Sequence, residues 1–312
     1  MKTTNFIFIT FLSFTIYFLM MHSSASAQQS NFQIAPSPIA YPYFEDGRFD
    51  GRFDLTFINI SMDNFNLTGG DMGGRVRSAF SDYLAIDGTF GAMFLGGSMK
   101  PGLAPISFYS SSWYTVPGDK ASLSFLAMRG SINLELQPIH TSDFDVILFG
   151  GPQFMISNFA ITSKYRMIRY SDGYVSPYEY EDKLTIVSTM SGVQAGIQLD
   201  INLGSDMRVS PFFMMTSSSG SATMTDDPQL EGYDPVSYDV DIPSTTSMSY
   251  GMDILFGDIS IGTVLQQMKK TEETTQDTSI IMISVSFLFS DGAKNSTGET
   301  GTGTAADESK IE

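Results

Sequence analysis

The stretch Ser279-Ile-Ile-Met-Ile-Ser-Val-Ser-Phe-Leu-Phe289 decides the fold, because its two faces differ in character when it is read as a β-strand. One face is wholly apolar and consists of Ile281, Ile283, Val285, Phe287 and Phe289. The other face shrinks to the hydroxyls of Ser284 and Ser286 in its middle. A strand with lipid on one side and a polar lumen on the other needs this contrast. An inner strand of a soluble sandwich explains the stretch equally well, so the remainder of the chain has to decide.

The composition favours a barrel whose strand faces alternate. Mean hydropathy is +0.01 although 42% of the 312 residues are hydrophobic, which is too polar for a helical membrane protein. The chain has no Cys and therefore forms no disulfide and no thiolate metal site. Its formal charge of −17 argues against nucleic acid as a partner, because phosphates attract Lys and Arg.

Residues 1–27 have the pattern of a secretory signal peptide. Lys2 supplies the positive start, an apolar run follows, and Ala25-Ser26-Ala27 forms a small-x-small cleavage site at Ala25 and Ala27. The apolar run is short for a spanning helix, which leaves an uncleaved anchor as the weaker alternative.

The rest of the chain divides into three parts by composition. Residues 28–45 contain three prolines without apolar periodicity and are interpreted as an extended leader. Residues 46–290 carry the alternating pattern and are interpreted as a β-barrel. Residues 291–312 are rich in Gly, Ser, Thr and acids, so we expect a disordered acidic tail.

Alternation of apolar and polar residues predicts ten strands, with eight as the main alternative. The predicted strands lie near residues 52–57, 75–80, 83–95, 121–136, 144–159, 184–203, 207–216, 248–256, 259–267 and 279–289. The fifth is the least regular, because Gly150, Gly151 and Pro152 interrupt its pattern.

Short and long connections alternate along the chain. Tight turns are predicted at Ser81-Asp82, Ser142-Asp143, Ser205-Asp206 and Gly257-Asp258. The long connections are 96–120, 163–183 and 223–245. Short turns at one end and long loops at the other are typical of outer-membrane barrels, and this arrangement predicts both termini on the periplasmic side.

The closing stretch resembles the last strand of bacterial outer-membrane β-barrels, which ends in a Phe that is recognised during assembly. By this resemblance Phe289 is the assembly aromatic and Phe287 its same-face partner. The chain departs from the pattern at Ser284, where Gly is common, and in continuing beyond Phe289. The phrase Phe80-Ser-Asp-Tyr-Leu-Ala-Ile-Asp-Gly-Thr-Phe90 resembles the turn and strand of opacity-type outer-membrane proteins.

The resemblance implies an all-β, antiparallel, up-and-down transmembrane barrel in the outer membrane of a Gram-negative bacterium. The partners it implies are outer-membrane lipid, lipopolysaccharide and, during biogenesis, the barrel-assembly machinery.

Catalytic residues are not indicated. Enzymatic barrels need a histidine base, and beyond the signal peptide the sequence contains only His140, beside a predicted periplasmic turn. The sequence contains no nucleophile elbow, phosphate loop or metal-ligand spacing. We therefore predict no enzyme, no cofactor and no metal site.

The long connections have binding characteristics of different kinds. Connection 163–183 combines five Tyr with Lys and Arg, and connection 96–120 contains Trp113 and several aromatic residues. Either an extracellular ligand or an interfacial aromatic girdle explains them. Connection 223–245 is acidic, which suits a solvated loop better than a cation bridge to lipopolysaccharide.

Charged residues on the polar strand faces are predicted to point into the lumen. They are Arg52, Asp54, Arg75, Arg77, Asp87, Arg129, Glu135, Asp145, Asp200, Arg208 and Asp253. Charges of both signs in a narrow barrel should pair, so a salt-bridged plug is expected, and separate solvated charges in a small pore are the alternative. The function classes left open are a structural or surface-interaction barrel and a passive pore for small solutes, with a soluble β-sandwich disfavoured.

Overall fold

The computed structural model describes residues 48–61, 65–99, 113–169, 171–204, 207–227, 234–268 and 278–290. The predicted signal peptide with Ala25 and Ala27, the leader 28–45 and the tail 291–312 lie outside these residues. Ten strands make up the described chain: β1 (Phe49–Ser61), β2 (Phe65–Ser81), β3 (Leu84–Met99), β4 (Trp113–His140), β5 (Phe144–Arg169), β6 (Val175–Asn202), β7 (Met207–Asp227), β8 (Val236–Phe256), β9 (Ile259–Met268) and β10 (Thr278–Ser290).

The strands form one closed antiparallel barrel in which each strand pairs with its sequence neighbours. Closure is made by β1 and β10, whose register runs from Asp50 opposite Ser290 to Ser61 opposite Ser279. The prediction of ten strands is confirmed, and the alternative of eight is wrong. The described residues contain no helix that is long and apolar enough to cross a membrane.

The outer surface of the barrel is apolar because every second side chain points outward. On β1 the outward residues Phe53, Leu55 and Phe57 are exposed, whereas Arg52, directly before them, is buried inside. The closing strand follows the same rule, with Ile281 to Phe289 exposed at alternate positions and Ser284 and Ser286 buried. Lipid is the environment in which such a surface is stable.

The two ends of the barrel differ in the length of their connections. At one end, the tight-turn end, β4 is joined to β5 by residues 141–143 and β8 to β9 by Gly257 and Asp258. Thr141 organises the first of these turns, since its hydroxyl accepts hydrogen bonds from the Phe144 and Asp143 amides at 3.0 and 3.3 Å. The first residues of β1 and the last of β10 also lie at this end.

At the other end, β4 to β8 continue far beyond their neighbours. β4 extends over 113–120 past its last pair with β3, Met99 opposite Ala121, and β8 extends over 236–246 past its last pair with β9. We call the parts of β4 to β8 beyond these pairs the hairpin wall. The prediction of loops at 163–183 and 223–245 was therefore largely wrong, and connection 96–120 begins and ends in strand. Val236 to Asp241 on β8 are exposed at every position, so this part of the sequence lacks an apolar period.

The fifth strand is continuous although its sequence pattern is irregular. β5 runs through Gly150, Gly151 and Pro152 without a break. The ladder to β4 passes from Ser131–Gln153 directly to Leu134–Gly150. Pro152 lacks a backbone donor, and this local gap in pairing accommodates it.

Candidate functional site

The lumen is filled by two stacked layers of side chains, and the layer nearer the tight-turn end is charged. Alternation along each strand turns the polar residues inward, and closure brings strands distant in sequence to the same height. We call this the charged layer. Its members are Asp50, Arg52, Asp54, Asp71, Arg75, Arg77, Asp87, Arg129, Glu135, Asp145, Asp200, Arg208 and Asp253.

Two neighbouring arginines on β2 form the centre of the charged layer. Arg75 donates to Asp87 and, at 2.8 Å, to Glu135 Oε1. Arg77 donates to Glu135 Oε2 at 2.6 Å, so a single carboxylate bridges both guanidinium groups. Asn133 donates to the second oxygen of Asp87 at 2.7 Å. All of these groups are buried, and charge-assisted bonds of this kind offset the cost of burying them.

Arg52 connects the first strand to the eighth. Its guanidinium donates to Asp54 and, at 2.8 Å, to Asp253 Oδ2. The side chain of Arg52 is 0% exposed, whereas that of Asp54 is 18% exposed. This pairing therefore spans the barrel closure from inside the lumen.

The remaining predicted residues lie at the margins of the same layer. Arg129 pairs with Asp71 at 2.6 Å, farther from the tight-turn end than Arg75 and Arg77. Asp145 Oδ2 lies 3.6 Å from Arg208 Nη1, and Asp145 Oδ1 lies 2.6 Å from His140 Nδ1. Asp200 is fully buried and accepts a hydrogen bond from Gln198 at 2.5 Å.

The sequence reasoning missed several members of the layer. Asp50 and Asp71 are each 1% exposed, and the amides of Asn133 and Gln194 bond to each other at 2.8 Å. Asp71 stands in Gly69-Gly-Asp-Met-Gly-Gly74, where glycines hide the alternation. Asp71 lies four residues before Arg75, and Asp50 lies two residues before Arg52. The period-two alternation of a strand would therefore have placed both side chains in the lumen.

The second layer contradicts the expectation of a polar lumen. The half of the lumen toward the hairpin wall is filled by buried apolar side chains that form one cluster, which we call the apolar layer. It includes Ile58, Ile60, Leu67, Met93, Leu95, Leu123, Phe125, Phe159, Ile161, Leu184, Met190, Met214, Val264, Ile280 and Met282. Phe125 and Phe159 pack with ring centroids 6.3 Å apart. Burial away from water stabilises this layer as it does a soluble core.

The hairpin wall carries its own ordered polar contacts. At the tip joining β5 to β6, Arg169 donates to both oxygens of Asp172 at 2.9 and 2.6 Å and lies 5.1 Å from the centre of the Tyr174 ring. The hydrogen bond from Arg169 lowers the pKa of Asp172.

Asp182 and Asp226 form an acidic pair on the inner side of the hairpin wall. Asp182 is buried, while its neighbours Glu181 and Lys183 are exposed on the outside, so this height lies beyond the apolar outer belt. Burial, together with the neighbouring carboxylates of Asp226 and Asp227, raises the pKa of Asp182 to about 6. Among the residues that the structure describes, no group of three or more His, Asp or Glu side chains is arranged to hold a metal ion.

The predicted assembly residues lie on the outer surface at the tight-turn end. Phe287 stands opposite Phe53 and Phe289 opposite Gly51, so both contact the first strand at the barrel closure. Both rings are exposed to the surroundings of the barrel.

The closed antiparallel barrel, its apolar exterior and its filled interior define a β-barrel of the membrane-spanning class. No family model and no curated protein matches the chain. The resemblance of residues 80–90 to opacity-type proteins therefore stays a prediction.

Several solved structures of outer-membrane proteins are similar to the chain. The outer membrane protease OmpT from Escherichia coli is 9% identical, with a TM-score of 0.49, and the match covers 80% of this chain and 99% of that one. OprG from Pseudomonas aeruginosa is 12% identical with a TM-score of 0.36, covering 79% and 98%. The COG4313 outer membrane channel from Pseudomonas putida F1 is 10% identical with a TM-score of 0.39, covering 82% and 100%. At these identities and TM-scores the comparisons assign no activity to the chain.

Proposed function

We propose that the chain is an integral β-barrel of the outer membrane of a Gram-negative bacterium, with a structural or surface-interaction role and a lumen closed to ions. The observation that carries this proposal is the stacking of the charged layer on the apolar layer. Glu135 is bonded to Arg75 and Arg77 in one layer, and Ile58, Phe125 and their neighbours fill the other. An ion crossing the lumen would have to displace paired charges and then enter an apolar zone, and both steps are costly.

The surface role is supported by the hairpin wall. Tyr174, Tyr178 and Tyr238 are exposed on it, and Tyr is a common residue of binding surfaces. In this proposal the tight-turn end and both termini are periplasmic, and the wall projects outside the cell, where lipopolysaccharide and an extracellular ligand at 96–120 and 163–183 are its partners. No catalytic role is proposed for His140. It lies at the tight-turn end, where its ring is hydrogen-bonded to the buried Asp145.

Planar-bilayer recording tests the closed lumen. The purified wild type should show no steady conductance, and Arg77→Ala and Arg208→Ala, which each remove a cation from the charged layer, should conduct only if that layer and not the apolar layer closes the lumen. Lys164→Ala, on the exposed outer side of β5, is the matched control and should stay silent. Steady wild-type conductance that these arginine substitutions leave unchanged would establish a small passive pore instead.

Fractionation tests the location. The folded protein should be recovered from the outer-membrane fraction, need detergent for solubility and shift in gel mobility on boiling. Recovery as a soluble monomer without detergent would reject the membrane barrel.

A further inference from the structure

The apolar lining of the lumen continues onto the inner face of the hairpin wall and becomes exposed there. On β7 and β8, Met224 stands opposite Tyr238 and Ala222 opposite Val240, and residues opposite each other on paired strands share a face. Ala222 is buried and Met224 packs against the apolar layer, so their partners also face inward. Val236, Tyr238 and Val240 are nevertheless 63, 48 and 39% exposed. We call these three residues the inner wall face, and they offer apolar surface to a ligand.

An acidic pair adjoins the inner wall face. Asp226 stands opposite Val236 on one side and opposite Leu184 on the other. Asp182 lies two residues from Leu184 along β6 and is therefore the diagonal neighbour of Asp226 on the same face. The two carboxyl groups lie within hydrogen-bonding range of each other. Two carboxylates this close repel each other unless a proton or a cation neutralises them.

The acidic pair presents acceptor atoms that receive no donor from the protein. Asp182 is 3% exposed, and in the described part of the chain Oδ1 of Asp182 and Oδ1 of Asp226 have no hydrogen-bond partner. Lys183 is the only basic residue of β6 and is exposed on the outer face, and β8 contains no basic residue. A buried carboxylate oxygen without a donor is costly. Asp226 is only half-buried, so a cationic donor can approach the pair from the hairpin-wall end of the lumen.

The surroundings of the pair suit an organic cation better than a metal ion. Mg²⁺ and Ca²⁺ take about six to eight oxygen ligands, whereas the described residues contain no group of three acids arranged to hold a metal ion. An ammonium group donates hydrogen bonds to the two carboxylates without needing such a shell. An apolar body attached to it would cover the exposed side chains of the inner wall face, where Tyr238 supplies an aromatic ring.

We propose that the hairpin-wall end of the lumen binds a small organic cation, whose ammonium or guanidinium group is held by Asp182 and Asp226 and whose apolar body lies on Val236, Tyr238 and Val240. The inference rests on the surface-interaction role proposed above and gives the ligand of that role a chemical class.

Isothermal titration calorimetry of the protein in lipid nanodiscs, with empty nanodiscs as the blank, tests the inference with phenethylammonium. The wild type should bind it. Methylammonium lacks the apolar body and phenylpropionate carries the opposite charge, so each should bind at least about tenfold more weakly. The double variant Asp182→Asn, Asp226→Asn should bind phenethylammonium roughly tenfold or more weakly, because the charge that attracts the ammonium group is removed.

The double variant Asp239→Asn, Asp241→Asn is the matched control. Both residues lie on the outer face of β8, where Asp239 accepts a hydrogen bond from Thr223 at 2.7 Å, and the variant removes the same amount of negative charge from the hairpin wall. It should keep the wild-type affinity for phenethylammonium. Tyr238→Ala should weaken the binding of phenethylammonium and leave that of methylammonium unchanged. Heat-dependent gel mobility verifies that each variant is folded.

The outcomes separate the inference from the proposed function. A wild type that does not bind phenethylammonium would overturn the inference, and so would an affinity that the Asp182 and Asp226 variant retains. Calcium chloride is titrated in parallel, and calcium binding that this variant loses, without phenethylammonium binding by the wild type, would establish a metal site instead. The location and the closed lumen are tested separately, since recovery as a soluble monomer or steady conductance would overturn the proposed function itself.

Discussion

The ring of Phe289 on the last strand lies over Gly51 on the first, directly opposite it in the closing register. A Cβ atom placed on Gly51 would come within 1.8 Å of Phe289 Cε2. The same relationship recurs on the outer surface, where the Phe90 ring covers Gly74 and the Phe154 ring covers Gly130. An aromatic ring laid across a cross-strand glycine shields its backbone and adds apolar contact. At the closure it also fastens the first strand to the last.

Substituting Gly51 should therefore weaken barrel closure. We expect Gly51→Ala to lower the free energy of unfolding by about 1–3 kcal/mol, the usual cost of overpacking, because the ring must leave its position. Guanidinium unfolding of the refolded barrel in detergent micelles measures it. Gly88→Ala is the matched control, since the nearest atom to its new methyl group would be Val76 Cγ2 at 3.8 Å. Equal stability of the two variants would contradict the role of the Phe289 ring.

The closing aromatics should matter more for assembly than the residues after them. We expect Phe287→Ala combined with Phe289→Ala to reduce the amount of folded barrel in the membrane, because both rings contact β1 at the closure. Deleting residues 291–312 should have a much smaller effect, since that segment offers little apolar surface to bury. The heat-modifiable fraction in membrane extracts reports both. Normal assembly of the double variant with failure of the truncated chain would invert this assignment.

Neutralising Glu135 should be costly, because it bridges Arg75 and Arg77 at 2.8 and 2.6 Å inside the lumen. We expect Glu135→Gln to destabilise the barrel by roughly 3–5 kcal/mol, the range for breaking a buried ion pair. Asp54→Asn, at a carboxylate with 18% side-chain exposure, should cost clearly less. Unfolding in guanidinium gives both values, and a Glu135 variant no less stable than the Asp54 variant would refute the central position of Glu135.

The hairpin wall should become less stable as pH rises through the pKa of Asp182. This pKa is raised from 3.8 to about 6 by burial and by Asp226 and Asp227, so the folded state binds the proton more tightly than the unfolded chain. The stabilisation is fully present below the unfolded value and is lost as pH passes the folded value. Hydrogen exchange of amides near Asp182 should show more frequent local opening at pH 7.5 than at pH 4 after correction for intrinsic rates. Asp182→Asn should abolish the difference, and an unchanged difference in that variant would exclude Asp182 as its origin.

The sequence by itself determined the barrel, because period-two alternation is a local property. Phe53, Leu55 and Phe57 on one face and Arg52 and Asp54 on the other were enough to orient β1, and the same held for β6 and β10. Turn residues located the strand ends at Ser81-Asp82 and Gly257-Asp258 for the same reason, since they act through their own backbone.

Only the tertiary structure decided which inward residues meet and at what height. Arg52 and Asp253 are separated by 201 positions and become neighbours because the sheet closes with a particular stagger. The apolar layer escaped sequence reasoning because alternation assigns faces and not heights, and at Phe57-Ile-Asn-Ile60 apolar residues occupy both faces. The hairpin wall escaped it because strands beyond the apolar outer belt need no apolar period. Faces are fixed within a strand, whereas layers arise only from the pairing of all ten.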